Sequence, residues 1–312
     1  MAFNKLIEKI AKTGNPTVVG LDPALDLVPG FLKKRCYEQH GKNLKGAAEA
    51  VFEFNKGLID VLYEVVPAVK PQLAFYEALG TEGVTAFHRT AEYARSRGMY
   101  VIADAKRGDI GSTAEAYATA FLGKIKIDEV GEEEFEPFPV DALTVNAYLG
   151  SDGTEPFIKA CDLYDKGIFI LVKTSNPSSG ELQDKLIDGV PVYEHMGAKV
   201  REWGEKSIGK YGYSSVGAVV GATYPEQIKI LREKLPHTFF LIPGYGAQGG
   251  TAKDLSAAFD KNGLGGIVNS SRGIIAAYKK EGCDEQDFAG AAYREAVRMR
   301  EDLMKEIGEV RL

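Results

Sequence analysis

Short apolar runs rich in β-branched residues recur along the chain, and longer stretches with helical spacing of apolar residues separate them. Several short runs are apolar almost throughout, which is typical of parallel strands covered on both faces. The short runs predict eight strands, over 17–22, 68–72, 100–106, 142–147, 167–173, 216–222, 238–244 and 265–271. The longer stretches predict helices over 46–66, 81–98, 112–123, 194–211, 225–235, 253–262 and 286–307.

This alternation of strands and helices fits a doubly wound sheet as well as a (β/α)8 barrel. The count of eight strands, together with the chemistry at the strand ends, favours an α/β TIM barrel in which residues 1–312 form a single domain. Residues 23–45 and 124–140 exceed ordinary loop lengths, and we expect both to be insertions. The second precedes the fourth strand and is acidic, so we expect it to be peripheral and solvated.

The first residues, "MAFNKLIEKIAKTG", place Phe3, Leu6, Ile7 and Ile10 on one helical face with lysines between them. This pattern predicts an amphipathic helix, because a signal peptide would have an unbroken apolar centre. No apolar run approaches the length that a membrane-spanning helix needs. We therefore expect a protein without a membrane segment.

Composition narrows the range of partners. The hydrophobic fraction of 45% and the charged fraction of 26% are ordinary for a soluble globular protein. The net charge of −6 argues against non-specific binding to nucleic acid, so an anionic substrate would need a locally positive site. Three cysteines without metal-ligand spacing suggest reduced thiols in a cytoplasmic protein.

Charged residues stand where the predicted strands end, which in a barrel is where chemistry gathers. In "DAKRGD", Asp104 and Lys106 are two residues apart and therefore share a strand face, whereas Asp109 lies beyond the strand. Asp22 and Lys70 end the first and second strands. Buried charges are costly unless they are paired or used, so the cluster indicates either a working site or an internal salt bridge with a helix-capping Asp109.

Two later loops carry candidate binding groups. The glycine-rich "PGYGAQGGT" (243–251) follows the seventh strand, and Arg272 follows the eighth. Turns alone would explain the glycines, but the neighbouring Arg272 favours a phosphate site, which barrels often build from these two loops. The polar "VKTSNPSSGELQ" (172–183) suits either contacts to a heterocycle or ordinary turns.

With these motifs assembled, the chain resembles the orotidine 5'-phosphate decarboxylase family, and "DAKRGDIGSTAEAYA" is similar to its bacterial type 2 subgroup. The resemblance extends from "GLDP" to "NSSRG", and its most specific elements are "DxKxxDI" and "PGxGAQGG". It implies a TIM-barrel homodimer that converts orotidine 5'-phosphate to UMP in de novo pyrimidine biosynthesis. It also implies that the reaction uses no metal and no organic cofactor.

The resemblance also implies roles for individual residues. Four of them would form an alternating network of charges: Lys70, Asp104, Lys106 and Asp109. Lys106 would protonate the product carbon, and Asp22 with Lys70 would hold the ribose hydroxyls.

Further residues would bind the rest of the substrate. Ser175 would contact the pyrimidine amide edge, and Gln248 with Arg272 would bind the phosphate. Asn146 matches a position at the mouth of strand four. Thr113 and Asp109 would reach into the site of the partner subunit.

Two rival functions stay open. One is a magnesium-dependent sugar-phosphate decarboxylase or aldolase with a similar "DxKxxD", although Lys70 would repel a metal. The other is a non-catalytic barrel that binds a nucleotide or sugar phosphate, in which the pair of Asp104 and Lys106 would have no task.

Overall fold

A computed structural model of the chain describes residues 2–127, 133–246 and 249–312. Within these residues, eight parallel strands close into a barrel in the order of the sequence, and the eighth pairs with the first. The fold predicted from the sequence is therefore confirmed. The barrel strands are β1 (Thr17–Leu21), β2 (Ala68–Pro71), β3 (Tyr100–Arg107), β4 (Ala142–Val145), β5 (Gly167–Lys173), β6 (Val216–Val220), β7 (Phe240–Pro243) and β8 (Gly266–Ser270).

Helices lie around the barrel and across one of its ends. They are α1 (Ala2–Thr13), α2 (Gly30–His40), α3 (Leu44–Leu62), α4 (Leu73–Glu77), α5 (Gly80–Ser96), α6 (Gly111–Leu122), α7 (Ser151–Tyr164), α8 (Val192–Gly204), α9 (Pro225–Lys234), α10 (Ala252–Leu255), α11 (Arg272–Ile275), α12 (Ala277–Glu281) and α13 (Phe288–Ile307). None of those in the described residues is long and apolar enough to span a membrane.

Several helices differ from the prediction, among them the short α4, α11 and α12, which the sequence did not predict. The sequence did not predict α7, because Gly153 and Pro156 weaken its helical pattern. The segment 23–45, expected to be an insertion, contains the helix α2, which the sequence did not predict. The helix predicted over 253–262 is only α10 followed by a 3-10 turn, because the chain becomes extended at Phe259.

Helix α1 closes the end of the barrel at which the strands begin. Its apolar residues are buried, as the sequence predicts: Phe3, Leu6, Ile7 and Ile10. The Phe3 ring centroid lies 4.7 Å from that of Phe169 and 5.5 Å from that of Phe239. Helix α1 therefore covers this end, and the end where the strands finish is the open one in the described part of the chain.

The side chains inside the barrel change from apolar to polar between two successive layers. The lower layer belongs to the apolar interior cluster and includes Ala68, Ile102, Ala142 and Ile267. Residues two positions further along a strand share its face. In the same four strands those positions hold Lys70, Asp104, Thr144 and Asn269. The polar bottom of the site is therefore a single layer of interior side chains, which lies directly above the apolar layer.

The acidic segment before β4 is attached away from this open end. Its Glu136 accepts hydrogen bonds from Arg95, at 2.5 Å, and from Lys166, which stands just before β5. Its Phe138 stacks on Phe121 of α6 at 4.9 Å. These contacts hold the described part of the segment beside the starts of the strands.

Candidate active site

A cavity of about 340 Å³ opens at the carboxyl ends of the strands. The charged side chains of its lining lie in β2 and β3 or just after β1 and β8: Asp22, Lys70, Asp104, Lys106 and Arg272. Three of these are cations and two are anions. The site is thus locally positive in a chain whose net charge is −6, which suits an anionic ligand.

Asp104 is the centre of a hydrogen-bonded network. Its Oδ2 atom accepts from Lys70 Nζ at 2.6 Å and from Gln72 Nε2 at 2.9 Å. Its Oδ1 atom accepts from Lys106 Nζ at 2.6 Å and from the Thr144 hydroxyl at 2.9 Å. Two carboxylate oxygens have about four lone-pair sites, so this carboxylate is fully occupied by donors.

The same contacts keep the buried pair charged. Burial opposes ionisation of Asp104, but Lys70 and Lys106 outweigh it and hold the pKa of that carboxyl well below its usual range. Burial would lower the pKa of Lys70, yet the attraction of Asp104 and Asp22 raises it. A carboxylate and a protonated lysine therefore coexist beneath the cavity.

Lys106 differs from Lys70 in exposure and in backbone conformation. Its side chain is 46% exposed and lines the cavity, whereas that of Lys70 is 5% exposed. Its φ of 48° lies in the left-handed region, which is uncommon for a residue with a side chain. Strain of this kind persists only where the surrounding structure imposes it, and it is frequent at active sites.

Two buried acceptors of the lining have no partner among the described residues. They are the Oδ1 atoms of Asp22 and Asn269. An unsatisfied buried acceptor is costly, and a hydroxyl of a bound ligand would relieve it. The β1 and β8 side of the cavity is therefore prepared for a ligand that donates hydrogen bonds.

The loop after β5 brings Thr174, Ser175 and Asn176 to the cavity. Gln183 supports it by accepting from the backbone N–H of Thr174 at 2.9 Å. Gly221, after β6, permits the close approach of Ser175, because a Cβ at Gly221 would lie 2.8 Å from the Ser175 backbone. Ser175 is thus held at the wall of the cavity.

The loops after β7 and β8 supply the opposite wall. Gly244 and Tyr245 line the cavity, and the Tyr245 hydroxyl is anchored to Asp302 of α13. Arg272, the first residue of α11, also lines it and is exposed. Gln248, predicted to bind phosphate, lies outside the described residues.

Three predicted site residues do not line the cavity of their own chain. Asp109 is half-buried, and its carboxylate accepts from the Ile110 N–H at 2.8 Å. Thr113 is exposed on the first turn of α6. Asn146 is exposed, and its side-chain oxygen accepts from the Tyr148 N–H at 3.2 Å.

Among the lining residues that the sequence analysis did not select, three follow directly from strand alternation. Gln72 follows Lys70 by two positions, Thr144 follows Ala142, and Asn269 follows Ile267. The strand alternation that linked Asp104 to Lys106 would have identified them, had it been applied to β2, β4 and β8 as well.

The fold and the site together define a class of protein, a TIM barrel with a charged cavity at the carboxyl ends of its strands. The sequence model of the "Orotidine 5'-phosphate decarboxylase / HUMPS family" matches residues 44–282. The chain belongs to this family, as its motifs predicted.

Individual relatives agree with this assignment. Orotidine 5'-phosphate decarboxylase of Rhodopirellula baltica is 45% identical over 94% of this chain and 96% of the relative. That of Petrotoga mobilis is 43% identical over 99% of this chain and 100% of the relative. The solved OMP decarboxylase of Leishmania donovani has a TM-score of 0.68 and 30% identity, covering 96% of this chain and 98% of that structure. The predicted enzyme class, a carboxy-lyase, is thereby confirmed.

Proposed function

We propose that this protein decarboxylates orotidine 5'-phosphate to UMP, and that Lys106 stabilises and then protonates the carbanion at C6. One observation carries the proposal: the Lys106 ammonium group lies in the cavity and is held 2.6 Å from the ionised, buried Asp104. The relatives that share nearly the full length of the chain bear the name of this activity.

The chemistry requires a fixed cation. When the bond between C6 and the carboxylate breaks and CO₂ leaves, the electron pair stays in the plane of the ring, where the π system delocalises it poorly. A preorganised ammonium group stabilises this charge more strongly inside a closed site than in water. Lys106 then transfers an N–H proton to C6, which yields UMP, and the resulting amine regains a proton from solvent.

Lys70 is less suited to this step, because it is buried and directed at Asp104 Oδ2. We assign it to holding the carboxylate and, with Asp22, to binding the ribose hydroxyls. The unpaired Oδ1 of Asp22 supports this role.

The remaining proposed contacts are made to the pyrimidine and to the phosphate, at the two ends of the substrate. Ser175 would contact the amide edge of the pyrimidine, and Arg272 on the opposite wall would bind the phosphate; both residues line the cavity, which supports these roles. Gln248 stays a predicted phosphate ligand. Binding energy from the phosphate, remote from the breaking bond, can serve orientation and loop closure.

We also propose a homodimer in which Asp109 and Thr113 complete the partner's site. Their absence from the lining of their own cavity supports this. The Asp109 loop packs closely on α7, because a Cβ at Gly153 would lie 2.8 Å from the Asp109 carbonyl. Exposed apolar residues stand on both sides of this contact, namely Ile110, Tyr148 and Leu149.

A cytoplasmic location, inferred from the free cysteines, also stays a prediction.

Loss of the ultraviolet absorbance of orotidine 5'-phosphate tests the proposal. The wild-type protein should consume the substrate, and Lys106→Ala should abolish turnover while UMP still binds. Lys199→Ala is a matched control, because its side chain is 52% exposed and lies on α8 outside the cavity. Near-normal turnover by Lys106→Ala would contradict the mechanism.

The same assay separates the rivals. A magnesium-dependent enzyme would lose activity in excess chelator, whereas we expect turnover to persist, because all four acceptor sites of Asp104 already hold donors. A non-catalytic barrel would bind UMP without consuming orotidine 5'-phosphate.

A further inference from the structure

The side chain of Thr144 connects the two catalytic residues of β3 to the neighbouring strand β4. Its hydroxyl donates to Asp104 Oδ1 at 2.9 Å. The same oxygen accepts the backbone N–H of Ala105 at 3.1 Å and that of Lys106 at 3.0 Å. Thr144 itself is 1% exposed.

These three bonds use the full capacity of a hydroxyl group, which donates once and accepts twice. All three partners lie within Asp104, Ala105 and Lys106. A buried threonine that only fills core space needs none of them, and valine would fill the same volume. The contacts therefore point to a role in the geometry of the site.

The position of the bonds explains the unusual backbone of Lys106. The pairing of β3 with β4 changes register between Ala103 and Arg107. Lys106, within this interval, has the left-handed φ of 48°. By accepting the N–H groups of the two residues before Arg107, the Thr144 hydroxyl compensates for the irregular pairing.

We infer that Thr144 is a positioning residue of the decarboxylation, an inference that rests on the function proposed above. It acts through two other residues. It holds the Lys106 backbone in the conformation that directs the ammonium group into the cavity, and it orients the carboxylate of Asp104 between the two lysines.

The test compares Thr144→Val, which keeps the shape and removes the hydroxyl, with Thr144→Ser, which keeps the hydroxyl. Misplacing a reacting group by a fraction of an ångström to 1 Å lowers rates by up to about 100-fold. We therefore expect Thr144→Val to lower kcat roughly 10- to 100-fold while the Kd for UMP changes less than about threefold. Thr144→Ser should restore kcat to within about threefold of the wild type.

Thr17→Val is the matched control. Thr17 is a fully buried strand threonine at the start of β1, and its hydroxyl has no hydrogen-bond partner among the described residues. Its replacement should leave kcat and the Kd for UMP unchanged. If Thr144→Val does not fold, Thr144→Ala removes the same hydroxyl without adding a methyl group in its place, and the same changes are expected.

Three outcomes would overturn the inference. They are an unchanged kcat in folded Thr144→Val or Thr144→Ala, an equal loss of kcat and UMP affinity, and a Thr144→Ser variant as slow as Thr144→Val. Each of these requires an active wild-type protein. Failure of the wild type to consume orotidine 5'-phosphate would instead contradict the proposed function.

Discussion

Lys70 and Asp104 are each buried to more than nine-tenths, and each compensates the charge of the other. Removing one member of such a pair leaves an uncompensated buried charge, which typically costs about 3–5 kcal/mol. Lys106 is different, because its half-exposed ammonium group can be solvated when its partner is lost. Stability and catalysis should therefore depend on different members of the same network.

Asp104→Asn should lower the free energy of unfolding by about 3 kcal/mol at pH 7, because Lys70 loses its main counter-ion. Lys106→Ala should change it by less than about 1 kcal/mol, although both variants lose turnover. Urea unfolding at one fixed protein concentration measures both values. Equal stability of the two variants would contradict the distinction.

The pH dependence of the stability difference between wild type and Asp104→Asn follows from the directions in which the pKa values of Asp104 and Lys70 are shifted. Asp104 has a lowered pKa, so its full contribution to stability is present above the pKa of this carboxyl in the unfolded chain. That contribution is lost as the pH falls through the pKa in the folded protein. Lys70 has a raised pKa, so its full contribution to stability is present below the pKa of this lysine in the unfolded chain. That contribution is lost as the pH rises through the pKa in the folded protein. The contribution of Asp104 to the stability difference between wild type and Asp104→Asn should thus stay constant from pH 7 down to about pH 5. A decrease at pH 5 would contradict the assigned ionisation.

Among the elements, the loop after β5 depends on a second buried cation. Lys173 is fully buried, and its Nζ atom lies 2.7 Å from Asp184 Oδ1 and 3.2 Å from Ser179 Oγ. It also lies 4.4 Å from the ring centroid of Tyr224. These contacts fold the loop back over the end of its own strand, next to Ser175.

Lys173→Met should therefore raise KM roughly tenfold with a smaller change in kcat, because the loop that carries Ser175 loses its anchor. Lys185→Met is the control, since Lys185 lies in the same loop and is exposed. Steady-state kinetics with orotidine 5'-phosphate measures both variants. An unchanged KM for Lys173→Met would show that the loop holds its position without this cation.

The elements also show how far the sequence could predict the molecule. The eight strands follow from their apolar runs, because burial on both faces leaves a strong pattern. The facing of Asp104 and Lys106 follows from their spacing of two. By contrast, the sequence did not predict the helix α7, because Gly153 and Pro156 have a low helix propensity. Tertiary packing tolerates both residues in the folded helix.

The contacts of the site were less accessible to sequence reasoning. The register shift that gives Lys106 its left-handed backbone arises from the pairing of β3 with β4, which no local pattern encodes. The role of Thr144 depends on the same pairing. Local patterns also cannot reveal residues expected to serve a partner subunit, such as Asp109, because the surroundings of such residues would belong to a second chain.

For the whole molecule, the central question is whether each site is built from two chains. The loop of Asp109 and the start of α6 stand outside their own cavity, beside exposed apolar side chains. An isologous dimer would bury such a patch against its own copy and would bring each loop to the other subunit.

Mixing two inactive variants tests this arrangement. A dimer of one Lys106→Ala chain and one Asp109→Ala chain has one site with both substitutions and one with neither. Random exchange of subunits makes half of the dimers mixed, so about a quarter of the wild-type activity should return. If the two residues served the same chain's site, no activity would return on mixing.

The placement of the Lys106 amine is tested most directly by a crystal structure of the wild-type protein with bound UMP. We predict that Lys106 Nζ lies within about 3.5 Å of the C6 atom, the distance of a near-attack geometry. A structure in which this amine lies far from C6, or in which a metal ion occupies its place, would contradict the proposed mechanism.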